Sequence, residues 1–328
     1  MSQEIQNILV TGGSGFIGQH LLRLLSKRGF NIRSIDLKSA PHELNEVEYI
    51  IGDIRNESSV KDHVNWSDAI IHLAAIASVP LCAEDPADSY STNVFGTTLL
   101  LDLCKEKMNQ TGKRTRVLFA SSSAVYGEIS QKEPLLETID LPRSPSIYAS
   151  QKKAAEEALT LYYSHYGIDT LSLRLFNVFG RGQNLDSPYS GVITRFFSSF
   201  ENMHSIQIYG DGGQTRDFVS VEDVARAFYM GLLVNRTQLQ GQVINIASGR
   251  STSVRDLVDI IGQMYTSQPE IDYFPARIGD IRHSVADISK SQKLLNWLPR
   301  FSLEEGLSRM SLIEKSPEGL AEVINAFG

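Results

Sequence analysis

Tyr148 and Lys152 are the two residues of this chain whose types and spacing most directly suggest chemistry. They lie four positions apart, so in a helix both side chains would lie on one face. A phenol is a weak base at neutral pH because its unperturbed pKa is about 10. A neighbouring ammonium, or a cationic cofactor ring, favours the phenolate. The spacing therefore suggests a general base whose pKa Lys152 lowers, with an ordinary surface pair as the alternative.

A glycine-rich loop near the amino terminus gives this pair a context. An apolar run at residues 8–10 leads into Thr-Gly-Gly-Ser-Gly-Phe-Ile-Gly at residues 11–18, and a helical pattern follows. This is the order of a dinucleotide-binding βαβ unit, and Gly13, Gly15 and Gly18 fit the Rossmann spacing G-x-G-x-x-G. The helix amino terminus would offer N–H groups to a phosphate. The alternative is a glycine turn in an α/β fold that binds no nucleotide.

A second apolar run, at residues 31–35, ends in Asp36. This acid lies roughly 20 residues beyond the glycine loop, as expected for a group that binds the adenosine ribose 2′-hydroxyl. A carboxylate there would repel a 2′-phosphate. The sequence therefore predicts NAD rather than NADP as the cofactor.

Length and composition set further limits. A chain of 328 residues can bury a large core and is expected to divide into about two domains. The net charge of −7 argues against nucleic acid as a partner, and no apolar run approaches the ~20 residues of a membrane span. The glycine loop starts too early for a cleavable signal. Cys82 and Cys104 lack metal-ligand spacing, so we expect buried thiols, no metal and a cytoplasmic location.

Apolar runs alternate with helical patterns over the first 176 residues, which is typical of a doubly wound parallel α/β sheet. The pattern predicts strands at residues 69–73, 117–120, 170–175 and 243–246. It predicts helices at residues 16–28, 91–108, 147–166, 221–234 and 253–264. Glycine, proline and aromatic residues crowd positions 180–216, which indicates loops around a ligand. We expect a Rossmann domain over residues 1–176, rejoined by 217–246, and a smaller α/β carboxy-terminal substrate domain over 177–216 and 247–328.

From about residue 7 to 306 the chain resembles the extended short-chain dehydrogenase/reductases, and within them the UDP-hexose 4-epimerases. The motifs that carry the resemblance, besides those above, are Gly52-Asp53-Ile54, His72-Leu73-Ala74-Ala75, Asn93, Ser-Ser-Ser-Ala-Val-Tyr-Gly at 121–127, Arg174-x-Phe176-Asn177-Val178-x-Gly180, Gly-Asp-Gly-Gly-Gln-Thr-Arg-Asp-Phe at 210–218, and Arg277-x-Gly279-Asp280. The resemblance implies a UDP-sugar substrate, bound NAD, and a homodimer formed through the helices near residues 91–108 and 147–166.

Cofactor-binding roles follow from the same resemblance. The residues concerned are Gly12, Gly15, Phe16, Ile17, Gly18, Asp36, Asp53, Ile54, Leu73, Ala74, Ala75, Tyr148 and Lys152. Asp53 and Ile54 would contact the adenine end, although Asp53 could instead only cap a helix. Ala74 and Ala75 are small where the backbone would pass close to the pyrophosphate and ribose, or they simply pack. Asn93 is expected to orient backbone, and His72 to be a satisfied strand-end histidine.

The resemblance implies a catalytic set of Ser122, Tyr148 and Lys152, in which the serine hydroxyl helps to pass the substrate proton to the phenol. The two positions after Ser122 hold an Asp and a Glu in the sugar-nucleotide 4,6-dehydratases, and the related decarboxylases usually keep the Glu. This chain has Ser123 and Ala124 there, so it lacks the acids for elimination. NAD-dependent epimerisation at C4 is the activity indicated. The alternatives are a UDP-uronate epimerase or other nucleotide-sugar oxidoreductase, and a non-catalytic NAD-sensing protein.

Substrate contacts are likewise implied by the resemblance, for Ser122, Ser123, Tyr148, Asn177, Tyr209, Arg216, Arg277, Asp280 and Ser284. The two arginines would bind the diphosphate, or else form structural salt bridges. Tyr209 would flank the uridine or belong to the core. Ser284 aligns with a position that gates the sugar pocket, and its small size predicts UDP-GlcNAc/UDP-GalNAc, and also UDP-Glc/UDP-Gal, as substrates. The alternative is that Ser284 is a surface loop residue.

Overall fold

The computed structural model describes residues 5–129, 133–183, 191–276 and 281–314. Its strands, in chain order, are β1 (Asn7–Thr11), β2 (Asn31–Asp36), β3 (Val47–Ile51), β4 (Ala69–His72), β5 (Arg116–Ser122), β6 (Asp169–Leu175), β7 (Asn177–Phe179), β8 (Ile206–Tyr209), β9 (Thr215–Arg216), β10 (Phe218–Ser220), β11 (Gln242–Ile246), β12 (Thr252–Ser253) and β13 (Ile271–Phe274).

The α-helices, in chain order, are α1 (Phe16–Lys27), α2 (Glu57–Trp66), α3 (Val79–Glu84), α4 (Pro86–Tyr90), α5 (Gly96–Thr111), α6 (Ile147–Tyr166), α7 (Val192–Asn202), α8 (Val221–Leu233), α9 (Arg236–Leu239), α10 (Val254–Gly262), α11 (Ser289–Leu295) and α12 (Leu303–Glu314). A π-helical turn, Ser91–Phe95, leads directly into α5, and a 3₁₀ turn, Ser123–Tyr126, follows β5. None of the helices in the described part of the chain is long and apolar enough to span a membrane.

Seven parallel strands form the central sheet, in the order β11-β6-β5-β4-β1-β2-β3. The chain builds outward from β1 to β3 on one side and then from β4 to β6 on the other, so the strand order reverses between β1 and β4. In doubly wound sheets, ligands bind at the carboxyl ends of the strands beside such a reversal. The predicted doubly wound Rossmann fold is confirmed.

Helices cover both faces of this sheet, which explains why its strands read as continuous apolar runs. On β1, Ile8 and Val10 pack into a cluster with residues of α1 and α8, whereas Leu9 packs into the opposite cluster with residues of α2, α5 and α6. All three side chains are fully buried. The two helical layers therefore fix the strands from both sides, and the strand ends are held rigidly.

The second half of the chain contributes both to this sheet and to a separate group of elements. Strand β11 pairs with β6 at the sheet edge, whereas β8 pairs in parallel with β13. A further apolar cluster joins residues of α7, α10, α12 and β8, among them Phe196, Leu257 and Leu307. The division into a Rossmann domain and a substrate domain stays a prediction.

Candidate active site

A cavity of about 680 Å³ lies at the carboxyl ends of the central strands, and we call it the cofactor cavity. It brings together all the residues for which the sequence predicted cofactor contacts, together with Ser122. The predicted residues that line it are Gly12, Gly15, Phe16, Ile17, Gly18, Asp36, Asp53, Ile54, Leu73, Ala74, Ala75, Tyr148 and Lys152. Its lining extends from the end of β2 to the start of α6.

The glycines of the loop differ in what they approach. Gly12 has a φ of +74°, and a Cβ there would lie 2.6 Å from the Ala74 backbone nitrogen. A Cβ on Gly18 would lie 2.5 Å from the Gly12 carbonyl oxygen. Gly13 instead packs against Ser34 and does not line the cavity. The tight turn is therefore made at Gly12, which the sequence had placed among the cofactor-binding residues, whereas Gly13 allows close packing against Ser34.

Asp36 ends β2 directly beside this loop. Its carboxylate accepts hydrogen bonds from the backbone N–H groups of Ser14, at 3.1 Å, and Lys38, at 3.3 Å. These bonds hold the acid at the cavity wall, at the place where a ribose hydroxyl would meet it. Asp53 is engaged differently, because hydrogen bonds from Arg55 lower the pKa of the Asp53 carboxyl.

The predicted catalytic residues meet between α6 and the end of β5. Ser146 caps α6 by accepting a hydrogen bond from the Ala149 N–H, which sets where the helix begins. One turn later, the Lys152 ammonium donates to the Ala120 carbonyl at 2.7 Å and lies 5.9 Å from the centre of the Tyr148 ring. Ser122 ends β5, and its hydroxyl lies close enough to the Tyr148 phenol to lower the pKa of that phenol. The three side chains thus lie together at one end of β5.

Burial dominates the titration of this group. Burial raises the pKa of Tyr148 to about 12, while the nearby Ser122 hydroxyl lowers it by a smaller amount. Burial lowers the pKa of Lys152 to about 8, against a raising effect of the Glu156 carboxylate. In the polypeptide alone, desolvation thus leaves the phenol pKa above its ordinary value, and the lowering of this pKa by Lys152 stays a prediction. A phenolate at working pH needs a further cation beside the ring.

Two polar side chains near the site have structural roles. His72 hydrogen-bonds Thr11 Oγ1 at 2.7 Å and Thr97 Oγ1 at 2.9 Å, and burial lowers the pKa of the imidazole to about 3. His72 is thus a neutral, satisfied histidine, as predicted. Asn93 lies in the π-helical turn, accepts from the Ile76 N–H at 2.8 Å and donates to the Ile76 carbonyl at 3.1 Å. It orients backbone, also as predicted.

A second cavity, of about 500 Å³, lies beside the first and is here called the nucleotide cavity. It brings together three of the predicted substrate residues, Asn177, Tyr209 and Arg216. The Tyr209 ring stacks on Phe274, with centroids 5.5 Å apart. Arg216 donates to the Ile281 carbonyl at 2.6 Å, so its position depends on the segment that follows β13.

Sequence reasoning missed several residues of the nucleotide cavity. They are Arg195, Ser198 and Ser199 on α7, Gln207 on β8, and Gln214, whose Oε1 atom is buried without a hydrogen-bond partner in the structure. Only Gln214 lies in a motif that the sequence had singled out. Nothing in the sequence indicated that the serines and the arginine of α7 line a cavity, because their helix has the pattern of an ordinary amphipathic helix.

Two of the other predicted substrate residues are placed elsewhere. Ser123 and Ser284 line neither of the two cavities, and Ser284 is buried next to His283, which hydrogen-bonds Thr215 at 3.2 Å. The predicted role of Ser284 as a gate stays a prediction. Arg277 and Asp280 lie outside the described residues.

A single short stretch of chain separates the two cavities. Phe176 and Val178 line the cofactor cavity, whereas Asn177, between them, lines the nucleotide cavity. The alternation follows from extended backbone, in which successive side chains point to opposite sides. The stretch is held in place because Asn177 donates from Nδ2 to the Asp217 carbonyl at 2.9 Å. The two cavities therefore share this stretch of backbone as a common wall.

Residues 8–247 match the model of the NAD dependent epimerase/dehydratase family. The chain belongs to this family. A putative UDP-glucose 4-epimerase of Methanocaldococcus jannaschii is 34% identical over 92% of this chain and 96% of its own length. A UDP-glucuronate 4-epimerase of Thermodesulfobacterium geofontis is 32% identical, over 92% and 94%. The UDP-N-acetylglucosamine 4-epimerase of Methanobrevibacter ruminantium M1, solved with UDP-N-acetylmuramic acid, superimposes with a TM-score of 0.86 at 33% identity, covering 96% and 100%.

Membership confirms the predicted family and the predicted cofactor, NAD. The residues present fit this group. The cofactor cavity has a turn that tolerates no Cβ at Gly12 and an acid, Asp36, where a ribose would lie. The predicted catalytic residues Ser122, Tyr148 and Lys152 line the same cavity.

Proposed function

We propose that this protein catalyses the reversible epimerisation of a UDP-hexose at C4, through a 4-keto intermediate. The observation that carries the proposal is the position of the group of Ser122, Tyr148 and Lys152, which lies in the cofactor cavity next to the stretch shared with the nucleotide cavity. The neighbouring Ser123 and Ala124 offer no carboxyl group for elimination of water. Oxidation followed by reduction at one carbon is the chemistry that this arrangement supports.

The residues that line the cofactor cavity would hold NAD, which when bound would accept and return the hydride and whose cationic ring would favour the phenolate of Tyr148. Tyr148 then takes the proton of the C4 hydroxyl, with the Ser122 hydroxyl between them. The C4–H bond breaks at the same time, its electron pair leaves as hydride, and C4 becomes a carbonyl carbon. Tyr148 later returns the proton to the carbonyl oxygen as hydride adds to the other face of C4. No atom is gained or lost, so the product is the C4 epimer.

Inversion requires the keto sugar to turn while the nucleotide stays in place. Arg216 lines the nucleotide cavity and would hold the diphosphate. A guanidinium group suits this role because its paired N–H donors match the spacing of phosphate oxygens. Asn177 and Tyr209 line the same cavity and would contact the nucleotide. Arg277 and Asp280 are proposed to contribute as the resemblance implies. Ser123 is proposed to contact the sugar.

UDP-GlcNAc and UDP-GalNAc are the proposed substrates, with UDP-Glc and UDP-Gal also accepted, because a small residue stands at Ser284. A UDP-uronate is the second candidate, supported by the relative that is a UDP-glucuronate 4-epimerase. We also propose that the protein is a cytoplasmic homodimer and that each chain has the two domains predicted from the sequence.

The test is a chromatographic or NMR assay of the purified protein with UDP-GlcNAc, UDP-glucose and UDP-glucuronate separately, with no cofactor added. Interconversion of UDP-GlcNAc and UDP-GalNAc supports the proposed chemistry, retained NAD and the substrate. Conversion of UDP-glucuronate alone would support the second candidate. No conversion of any UDP-sugar, even with NAD supplied, would overturn the proposed function.

A further inference from the structure

The helical face that carries Tyr148 and Lys152 continues one turn further to a buried acid, Glu156, that the proposed chemistry does not use. Glu156 is 5% exposed. Its carboxylate accepts hydrogen bonds from Arg174, from Nε at 2.9 Å and from Nη2 at 2.8 Å, and a third from the Ser121 hydroxyl. Arg174 is equally buried, at 4% exposure. A buried ion pair thus lies directly behind the proposed catalytic group.

Consecutive residues of β5 bind successive turns of α6. The Ala120 carbonyl accepts from Lys152, and the next residue, Ser121, donates its hydroxyl to Glu156. The residue after Ser121 is the proposed catalytic serine, which lies close to the phenol of Tyr148. A displacement of α6 along β5 by one residue would break all three contacts. Together they fix the rotation and the axial position of the helix relative to the strand.

The ion pair of Glu156 and Arg174 also contacts residues beyond α6 and β5. The Arg174 guanidinium lies 4.8 Å from the Tyr126 ring centre, and the Tyr126 hydroxyl donates to Asn245 Oδ1 at 2.7 Å. Asn245 in turn donates to the Leu135 carbonyl at 2.8 Å. The charged and titratable groups that face the pair or Lys152 from all surrounding elements are His72, Cys82, Tyr126, Glu137, Tyr148 and Lys290.

We propose that Glu156 is a positioning residue that keeps Lys152 in place and protonated beside Tyr148, and that Arg174 balances part of the negative charge of Glu156. This inference rests on the proposed epimerisation. A buried lysine tends to lose its proton, and a carboxylate one helical turn away opposes that tendency. An unpaired carboxylate there would draw the ammonium away from the Ala120 carbonyl. Because Arg174 occupies the carboxylate with two hydrogen bonds, Glu156 acts on Lys152 through its charge and without direct contact.

The decisive variant is the double substitution Glu156→Gln and Arg174→Met, which leaves neither charge buried without its partner. The pKa of Lys152 would be measured by NMR of isotope-labelled lysine, with the Lys152 signal identified by its loss in Lys152→Met. We expect this pKa to fall by on the order of one unit in the double variant, because the Glu156 carboxylate raises the pKa of Lys152 by its charge, whereas Arg174 is not among the groups that shift this pKa. The alkaline limb of kcat should fall at correspondingly lower pH, with KM for the UDP-sugar nearly unchanged.

Ser121→Ala is the matched control, since it removes a hydrogen bond to the carboxylate but keeps both charges. It should leave the pKa of Lys152 and the pH profile at their wild-type positions. The single variant Glu156→Gln, where it folds, should lower the Lys152 pKa further than the double variant, because Arg174 then stays unpaired.

An unchanged Lys152 pKa in the double variant would overturn the proposal and leave the pair a purely structural role. Equal effects of Ser121→Ala and the double variant would overturn it as well, because packing rather than charge would then be responsible. The pKa of Lys152 can be measured in a protein that shows no turnover. If the wild-type protein converts no UDP-sugar, the proposed function fails while the comparison of pKa values is still decided.

Discussion

Replacing Gly12 with alanine tests the close approach on which the cofactor cavity depends. The φ of +74° disfavours any residue with a side chain, and the new Cβ would lie 2.6 Å from the Ala74 nitrogen, 2.8 Å from its Cα and 2.9 Å from the Leu73 carbonyl carbon. All three are backbone atoms of the chain after β4 and cannot rotate away. The left-handed backbone costs about 1–2 kcal/mol, and overpacking adds about 1–3 kcal/mol. We therefore expect the free energy of unfolding to fall by about 2–5 kcal/mol.

Gly112→Ala is the matched control, because Gly112 has a similar φ of +71° with nothing within 4 Å of an added Cβ. It should cost only the left-handed backbone contribution, about 1–2 kcal/mol. Urea unfolding gives both stabilities, and the NAD released from each purified protein on denaturation gives cofactor retention. Gly12→Ala should lose most of its NAD, since Leu73 and Ala74 line the cofactor cavity, and Gly112→Ala none. Equal stabilities and equal NAD contents in the two variants would refute the reasoning.

Three other outcomes are expected. Tyr148→Phe should lower turnover by about 100-fold or more while NAD stays bound; near-normal turnover would remove Tyr148 as the base. Asp36→Ser should raise the affinity for NADP relative to NAD by about tenfold or more as the repulsion of a 2′-phosphate disappears, measured by equilibrium titration with both cofactors. The pKa of His72 is about 3 in the folded protein, which is below its value in the unfolded chain. The stabilisation that comes from the neutral, buried imidazole is therefore fully present above the unfolded pKa and is lost as pH falls toward the folded pKa. His72→Asn should reduce the acid slope of the unfolding free energy by about 1.4 kcal/mol per pH unit below about pH 6, and an unchanged slope in urea titrations would contradict the burial argument.

The sequence predicted most of the fold because the relevant signals are local. The helix predicted at residues 147–166 has these bounds as α6, and the strands predicted at residues 117–120 and 170–175 lie within β5 and β6. The helix predicted at residues 91–108 instead begins with a π-helical turn and continues to Thr111. Amphipathic periodicity cannot distinguish the two hydrogen-bonding patterns over one turn, because the side chains concerned still face the same way.

The site was predicted less completely, for reasons of burial and of distance along the chain. Tyr148 and Lys152 were found by spacing, but the direction of the phenol pKa depends on desolvation, which only the tertiary structure shows. Glu156 was passed over because an acid on a helix usually faces solvent. Its partner, Arg174, belongs to a different element and meets it only when β6 packs beneath α6.

The alternation of Phe176, Asn177 and Val178 between two cavities has a consequence for how such a protein can diverge. Substitutions at Asn177 alter the lining of one cavity, while substitutions at the flanking positions alter the lining of the other, so the two cavities can diverge separately on one stretch of backbone. An insertion of a single residue would exchange the two faces and damage both at once. Lineages are therefore expected to vary the residue types here and to keep the length of this segment constant.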